Sequence, residues 1–183
     1  MVMSNIIFLK GERVVLRPLE KEDIPILKRW INDPEVRKYL SAFTPQNNES
    51  EEKWVSSLSD SNTTIVFMIM VNDKPIGTMG IHHINWKDRH CTTGAMIGEK
   101  DYWGKGYGTE AKELLLEYIF NELNLNKVCS DVLEFNKRSR AYLKKSGYVF
   151  EGRRRKHIFK DGKYYDLILL AIFRNSWRKK NDK

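Results

Sequence analysis

Three glycines at alternate positions, 104, 106 and 108, separate a predicted strand from a predicted helix, and they constrain the fold more than any other feature of the chain. Because glycine has no side chain, successive backbone N–H groups in such a turn can close around an anion. The helix that follows adds its positive N-terminal end at the same point. The run therefore predicts a phosphate or pyrophosphate site, with a tight turn built for purely local reasons as the alternative.

Two common phosphate-binding motifs do not match this run. The ATP-binding P-loop requires Lys followed by Ser or Thr after its last glycine, whereas Lys105 lies inside the run. The dinucleotide fingerprint has its third glycine three positions after the second, whereas Gly108 follows Gly106 by two. The sequence therefore argues against a P-loop nucleotide and against an NAD-type dinucleotide.

Hydrophobic periodicity predicts a mixed α/β fold in one domain over residues 1–183, with a core of about 12–177. We expect a central mixed, mostly antiparallel sheet of about seven strands, flanked by about four helices. The predicted strands are Glu12–Pro18, Thr63–Val71, Lys74–Ile84, Thr92–Gly98, Lys127–Leu133, Tyr148–Phe159 and Tyr164–Phe173. The predicted helices are Asp23–Ile31, one from near Asn48, one from near Thr109, and Ser139–Ser146.

Local signals predict where several of these elements end. Pro34 is expected to stop the first helix, and Asn48 has the spacing of a capping box with a residue three positions later. Gly147 suits the position just after a helix, and Asp161-Gly162 predicts a hairpin turn between the last two strands.

The composition, 41% hydrophobic and 31% charged, is typical of a soluble globular protein. No apolar run approaches the ~20 residues of a membrane-spanning helix, and residues 1–10 lack the apolar segment of a signal peptide. We therefore expect a cytoplasmic protein with no membrane partner. Cys91 and Cys129 lack metal-ligand spacing, so we expect both to be reduced and no metal to be bound.

The formal net charge of +8 arises in the C-terminal part, where residues 152–183 contain eleven Lys or Arg and three Asp. A basic segment of this kind, including Arg153–Lys156, can attract nucleic acid, or it can be a solvated face or a frayed end. Because no helix-turn-helix or repeated aromatic-basic pattern accompanies it, we do not expect nucleic acid to be a partner.

The glycine run resembles the coenzyme A pyrophosphate loop of the GNAT N-acetyltransferase superfamily, whose pattern is Gln/Arg-x-x-Gly-x-Gly/Ala. It is read here as Trp103-Gly104-Lys105-Gly106-Tyr107-Gly108, so Trp103 departs from the Gln/Arg position. Trp-Gly-Lys-Gly-Tyr followed by Thr-Glu-Ala looks like the subgroup of ribosomal-protein N-terminal acetyltransferases. Asn136-Lys137-Arg138-Ser139, with Gly147-Tyr148 after it, resembles a second family motif, Asn-x-x-Ala/Ser…Gly-Phe/Tyr.

The resemblance implies acetyl-CoA as the acyl donor and assigns residues to it. The backbone of Ala95, Met96 and Ile97 would pair with the pantetheine arm. The pyrophosphate would be held by Trp103, Gly104, Lys105, Gly106, Tyr107, Gly108 and Thr109. Asn136 would hydrogen-bond the pantetheine, with a helix cap as the alternative, and Ser139 would lie near the thioester sulfur.

Attack of an amine on a thioester requires a neutral amine, donors for the oxyanion and a proton or dipole for the departing thiolate. Ser139 is the predicted group at the sulfur. Many family members have a Tyr acid seven positions after the motif Asn, where this chain has Leu143; Tyr142 is then either a second candidate acid or a packing residue. The strand before the loop has Thr92–Ala95 where the family often has Glu, so Glu134 is the predicted base, with an exposed strand-end carboxylate as the alternative.

Further residues are expected near the acceptor amine. His82 and His83 are adjacent on a strand and should face opposite sides, so at most one of them reaches the acceptor groove. By the resemblance, the two early helices and their loop wall this groove with aromatic side chains, although an ordinary core position is the alternative for two of them. These aromatic residues are Trp30, Tyr39, Phe43 and Trp54.

Together these features predict an acetyl-CoA-dependent N-acetyltransferase that works by direct transfer in a ternary complex. A protein N-terminal amine is the favoured acceptor, because an α-amino pKa of about 7.7 to 8.0 demands less from a base than a lysine pKa of about 10.4. A polyamine or aminoglycoside acceptor, which Glu49, Glu51 and Glu52 would suit, is the alternative, as is a non-catalytic acyl-CoA-binding protein. Homodimerisation is left open.

Overall fold

The computed structural model describes residues 6–181, which form an eight-stranded sheet with helices on both faces. The strands are β1 Leu9–Lys10, β2 Val15–Pro18, β3 Ile65–Val71, β4 Lys74–Asn85, β5 His90–Ile97, β6 Lys127–Leu133, β7 Val149–Lys160 and β8 Lys163–Phe173. The α-helices are α1 Ile24–Asn32, α2 Pro34–Arg37, α3 Asn48–Ser59, α4 Tyr107–Glu117, α5 Lys137–Lys145 and α6 Arg174–Asn181. The predicted mixed α/β fold is confirmed; the additional elements are the short β1 and α2, and α6.

The sheet has the order β1-β2-β3-β4-β5-β6-β8-β7. Neighbouring strands are antiparallel, except for β5 and β6, which are parallel. These two strands pair only over His90–Thr92 and Lys127–Cys129. Beyond that point β5 continues to Ile97 and β6 to Leu133 without a common ladder. The sheet therefore opens into a V-shaped cleft in its middle, on the C-terminal side of both strands.

Two cores hold the helices against the sheet, one on each face. On one face, α4 buries Ala111, Leu115 and Leu116 completely. On the other face, α1 and α3 cover a smaller cluster that includes Leu27 and Trp30. The cleft between β5 and β6 can thus be reached from two sides, one bordered by α4 and α5 and the other by α1 to α3.

The beginnings of two helices differ from the sequence prediction. The capping box predicted at Asn48 is wrong: Asn47 caps α3, because its Oδ1 accepts the Ser50 N–H and the Ser50 hydroxyl accepts the Asn47 N–H, both at 2.9 Å. Pro34 does end α1, but it also begins α2, because Asp33 supplies the cap there. The region after α1 is therefore more helical than the sequence indicates.

The basic C-terminal segment is ordered over most of its length. Gly147 follows α5 with a φ of 98°, and the hairpin turns at Asp161 and Gly162, so both turn predictions are confirmed. After β8 the chain forms α6, which the sequence analysis did not predict, and the Trp177 ring lies 5.3 Å from the Phe120 ring. For this part of the tail, the interpretation as a frayed end is wrong.

Within the described residues, no helix combines the length and the apolar character needed to cross a membrane. Over the same range there is no group of three His, Cys, Asp or Glu residues that could hold a metal ion. Cys91 and Cys129 are both free thiols, as predicted.

Candidate active site

The turn between β5 and α4 has the backbone geometry expected of an anion-binding loop. Gly104 and Gly106 have φ angles of 75° and 88°, in the left-handed region that glycine adopts readily. A Cβ at Gly104 would have no atom within 4 Å, so this side of the turn is open. Helix α4 begins at Tyr107, earlier than the predicted Thr109, and its first N–H groups have no carbonyl within the helix to bind. The loop therefore fits a pyrophosphate at the positive end of α4.

An ion pair with the segment just before β2 fixes this loop in place. Glu110 accepts hydrogen bonds from the Arg13 and Val14 N–H groups at 2.7 and 3.0 Å and from Arg13 Nε at 2.9 Å. Although burial raises the pKa of the Glu110 carboxyl, these hydrogen bonds outweigh it and lower the pKa. Arg13 also donates to the Lys105 carbonyl at 3.2 Å. Sequence reasoning missed this anchor; the only signal was the Glu of the Thr-Glu-Ala run.

The predicted pantetheine-binding segment forms one wall of the cleft. Ala95, Met96 and Ile97 pair with β4 along one edge and have no partner from β6 along the other. Their free edge leaves backbone donors and acceptors facing the cleft, as an extended amide-containing arm requires. One of these groups, the Ile97 carbonyl, accepts a hydrogen bond from Trp103 Nε1 at 2.7 Å.

Four side chains from different elements meet at the mouth of the cleft. The Arg138 guanidinium, on the first turn of α5, lies 4.0 Å from the Trp103 ring centre and 5.1 Å from that of Tyr39. The Tyr39 ring also contacts the Trp103 and Phe135 rings at 6.4 and 6.2 Å. Tyr39 therefore connects the glycine loop with the start of α5, and its place at the acceptor pocket stays a prediction. Arg138 was missed as a functional candidate.

The second motif places two of the predicted residues together on the opposite wall. Helix α5 begins at Lys137 rather than at Ser139, and Asn136 is its N-cap, because Asn136 Oδ1 accepts the Ser139 N–H at 3.0 Å. Asn136 thus has the helix-capping role that the sequence analysis gave as the alternative to pantetheine binding. Contact of its amide with pantetheine stays a prediction. Ser139 is half-buried on the first turn, and its proximity to the thioester sulfur also stays a prediction.

Two residues further along α5 face the protein interior. Leu143, at the position of the family acid, is buried in the core and has no proton to give. Tyr142 packs against the same core, and burial raises the pKa of its phenol, which makes it a weaker acid. Its position agrees with the packing alternative, and its role as an acid stays a prediction.

Glu134 lies at the end of β6 and is partly engaged with β8. Its Oε1 accepts the Asp166 N–H at 3.1 Å, and its own N–H donates to the Asp166 carbonyl at 3.1 Å. Asp166 is bound by the Lys156 N–H at 2.8 Å and by Arg153 at 3.1 Å, and these contacts lower the pKa of its carboxyl. Glu134 is therefore half-buried and oriented, while its role as the base stays a prediction.

The histidine pair on β4 does not follow the expected alternation. His83 has a φ of 51° at an irregularity of the strand, and its ring centre is only 6.5 Å from that of His82. The His82 ring lies on the bare backbone of two glycines, because a Cβ at Gly80 or Gly94 would be 2.3 or 3.6 Å from Nε2. Burial lowers the pKa of His82, so its imidazole is neutral at pH 7.

The aromatic residues predicted for the acceptor pocket separate into different environments. Trp30 is a core residue, 2% exposed, and its Nε1 donates to Glu99 at 2.9 Å. Trp54 and Phe43 are 38% and 87% exposed, so neither is an ordinary core residue. The core alternative is thus confirmed for Trp30 and wrong for Trp54.

Comparison with known proteins agrees with this geometry. The sequence model of the acetyltransferase (GNAT) domain family matches residues 13–149. A Bacillus subtilis (strain 168) protein named "Putative ribosomal N-acetyltransferase YdaF" is 27% identical over 177 residues, which cover 91% of this chain and 94% of that protein. The spermidine N(1)-acetyltransferase of Escherichia coli (strain K12) is 27% identical over 169 residues, covering 90% and 88%.

A solved structure shows the same fold. The spermidine N-acetyltransferase from Vibrio cholerae, crystallised with CoA and spermine, superposes with a TM-score of 0.86 at 22% identity, covering 92% of this chain and 99% of that one. The family match extends from just before β2 to the first residue of β7, so it includes the glycine loop and the cleft. The chain belongs to the GNAT acetyltransferase family, and it is an N-acetyltransferase that takes its acetyl group from acetyl-CoA.

Proposed function

We propose that this enzyme acetylates the α-amino group at the N-terminus of a protein or peptide, by direct transfer from acetyl-CoA within a ternary complex. The observation that carries the proposal is that four carboxylates on the side of α1 to α3 are paired with Lys and Arg side chains of the same chain. A polycationic acceptor would need free carboxylates on that side, whereas a single amine would not.

Three of these carboxylates lie around the junction of α1 and α2 and the end of β5. Glu99 is paired with Arg29, while Lys100 is 3.0 Å from Asp33 and 2.5 Å from Glu35. Such exposed pairs contribute little to stability. They do neutralise the local negative charge, and a polyamine would have to displace these lysine and arginine groups to bind here.

The acidic start of α3 is also a weaker attraction for cations than its sequence indicates. Glu49 is paired with Lys53 at 2.6 Å. Glu51 is buried, and this burial raises the pKa of its carboxyl, so it carries its negative charge less readily. Glu52 is exposed to solvent. With Glu49 paired and Glu51 buried, the start of α3 attracts cations less strongly than its three Glu residues indicate, which favours an acceptor with one amine.

The chemistry of an α-amino group suits the residues that are present. With a pKa of about 7.7 to 8.0, roughly a tenth of it is neutral at pH 7. The neutral amine attacks the thioester carbonyl carbon, a C–N bond forms and the C–S bond breaks. We assign the proton lost by nitrogen to Glu134, directly or through water, and the donor to the departing sulfur to Ser139. A lysine-like amine, whose pKa of about 10.4 keeps it almost wholly charged at pH 7, would need a stronger base.

Acetylation of small amines is the second candidate, and one specific observation favours it. A relative 27% identical over most of its length is named a spermidine N(1)-acetyltransferase. The exposed Glu52 of α3 is the carboxylate that would be expected to bind such a cation.

The test is the rate of coenzyme A release from acetyl-CoA with four acceptors. These are a peptide with a free N-terminus and acetylated lysines, the same peptide with a blocked N-terminus and free lysines, spermidine, and an aminoglycoside. We expect kcat/KM to be at least about tenfold higher for the first peptide, a difference of about 1.4 kcal/mol in transition-state free energy. A higher value for spermidine or the aminoglycoside would assign the enzyme to the second candidate. Preference for the blocked peptide would exclude an α-amino acceptor.

A further inference from the structure

Lys112 of α4 is fully buried and lies at the point where β5 and β6 separate. Its Nζ donates a hydrogen bond to Thr93 Oγ1 at 2.7 Å. Thr93 is the first residue of β5 beyond the last pair with β6, which joins Thr92 to Cys129. The amine of Lys112 therefore reaches the closed end of the cleft from the side of α4.

Side-chain hydrogen bonds continue the connection between the two strands where the backbone ladder stops. Thr93 Oγ1 lies 2.8 Å from Ser130 Oγ of β6, and Ser130 Oγ donates to the Thr93 carbonyl at 3.1 Å. The hydroxyl of Tyr148, from the Gly-Tyr motif, is 3.2 Å from Thr93 Oγ1. We call Thr93, Lys112, Ser130 and Tyr148 the apex cluster.

The groups around the Lys112 amine are neutral near pH 7. Burial raises the pKa of the Cys91 thiol on β5 to about 12, and burial lowers the pKa of His82 on β4. Tyr148, whose ring centre is 5.9 Å from Nζ, and the neighbouring Tyr142 of α5 have phenols whose pKa is raised by burial. Burial of Lys112 itself lowers its pKa to about 7. The amine is thus held by hydrogen bonding rather than by a carboxylate.

We propose that Lys112 is a positioning residue for acetyl transfer: by holding Thr93, and through it Ser130, it fixes where β5 and β6 separate and hence how deep the thioester lies. Ala95, the first residue assigned to the pantetheine arm, is two residues beyond Thr93, about 7 Å along the strand. A shift at the apex cluster would be transmitted directly to that backbone. This proposal rests on the acetyl-CoA cleft and not on the identity of the acceptor.

Protonation of Lys112 should disturb this arrangement. A neutral amine carries no charge and has two protons to donate, one of them to Thr93, whereas an ammonium group has three protons to donate and a charge that burial disfavours. The hydroxyls of Ser130 and Tyr148 are already engaged with Thr93. The charged form would therefore draw water into the closed end of the cleft and loosen the apex cluster.

The experiment measures the Kd of acetyl-CoA by calorimetry, without any acceptor, from about pH 6 to pH 8.5. It compares the natural chain with Lys112→Met and with a control, Lys144→Met, which removes an exposed lysine from α5. Titration of the acetyl-CoA phosphates affects all three alike. On acidification, the affinity of the natural chain and of Lys144→Met for acetyl-CoA should fall about tenfold more than that of Lys112→Met. A tenfold change in Kd corresponds to a shift of about one unit in the pKa of Lys112 on binding. The same pH dependence in all three would overturn the proposal.

A second measurement separates positioning from a merely structural role. If Lys112 acts through Thr93, then Thr93→Val and Lys112→Met should each lower kcat/KM for acetyl-CoA about tenfold, and the double variant should be no worse than either. Additive losses would overturn the proposal. Should Lys112→Met not fold, hydrogen exchange in the natural chain decides instead. Of the adjacent N–H groups of Gly94 and Ala95, the one bonded to β4, corrected for its intrinsic rate, should lose protection below about pH 7, and unchanged protection would overturn the proposal.

Discussion

The guanidinium of Arg138 stacks on the ring of Trp103, with 4.0 Å between its central carbon and the ring centre. Trp103 occupies the position where the GNAT loop pattern has Gln or Arg. The chain thus lacks the usual polar side chain at this position but carries an arginine on the face of the residue that replaces it. Because Arg138 comes from α5, this contact also joins the two walls of the cleft at its mouth.

The first prediction concerns the charge of Arg138. We expect Arg138→Met to raise the Kd of acetyl-CoA about tenfold, because it removes a cation beside the anion-binding loop and a stacking interaction of about 0.5 to 2 kcal/mol. The affinity of the variant should also depend less on salt. Arg140→Met, which removes an exposed arginine from the same helix, is the matched control. Equal losses in both variants would show that the effect is only one of overall charge.

The second prediction tests the glycine loop. Gly106→Val forces a β-branched residue to a φ of 88° and places its Cβ 3.4 Å from Arg13 Nη2, so the loop should abandon this conformation. Binding of acetyl-CoA should be lost in calorimetry while the fold survives. Gly162→Val is the control, because Gly162 has a similar φ of 77° in a hairpin turn far from the loop in sequence. Unchanged affinity in Gly106→Val would refute the assignment of this loop to the pyrophosphate.

The third prediction separates the two roles of Asn136. Asn136→Asp keeps a side-chain oxygen that can cap α5 but removes the amide N–H group, whereas Asn136→Ala removes both. We expect the aspartate variant to unfold at nearly the same urea concentration as the natural chain and to bind acetyl-CoA more weakly. The alanine variant should show the same loss of affinity and a loss of about 1 kcal/mol in stability. Normal affinity in the aspartate variant would leave Asn136 with the capping role alone.

The fourth prediction concerns Ser139. Because the cap bond uses the backbone N–H of Ser139, Ser139→Ala leaves it intact and removes only the hydroxyl. We expect kcat to fall by about 10² while the Kd of acetyl-CoA changes little, as for loss of a proton donor in the transition state. Stopped-flow turnover and calorimetry measure the two quantities. If the kcat of Ser139→Ala equals that of the natural chain, Ser139 has no part in the mechanism.

The fold and the glycine loop could be predicted from the sequence because their signals are local, whereas the pantetheine-binding strand was expected only from the family resemblance. Hydrophobic periodicity predicted the strands and helices, and the glycine run predicted the loop. The contacts that shape the site are not local: Arg13 and Glu110 are 97 residues apart, and Thr93 and Lys112 are 19 apart. At Lys112 the sequence even misleads, because a lysine in a helix is normally expected to face solvent. Its burial is explained only by the hydrogen bond to Thr93, which the sequence does not show.

The last prediction is the pH dependence of stability that the buried Lys112 imposes. Burial lowers its pKa from the usual 10.5 to about 7. Between these values the unfolded chain binds a proton that the folded chain does not, so the free energy of unfolding should rise with pH. The slope from this group is at most about 1.4 kcal/mol per pH unit, and it vanishes below about pH 7, where both states are charged.

Lys112→Met should remove this slope, and at pH 7 it should be more stable than the natural chain, because the amine no longer has to be buried. The loss of one hydrogen bond to Thr93, worth about 1 kcal/mol, opposes this gain without cancelling it. Urea unfolding at pH 7, 8 and 9 measures the difference, and other titrating groups cancel in the comparison. Lys144→Met should keep the natural slope. Parallel stability curves for the natural chain and Lys112→Met would mean that Lys112 stays protonated within the folded protein.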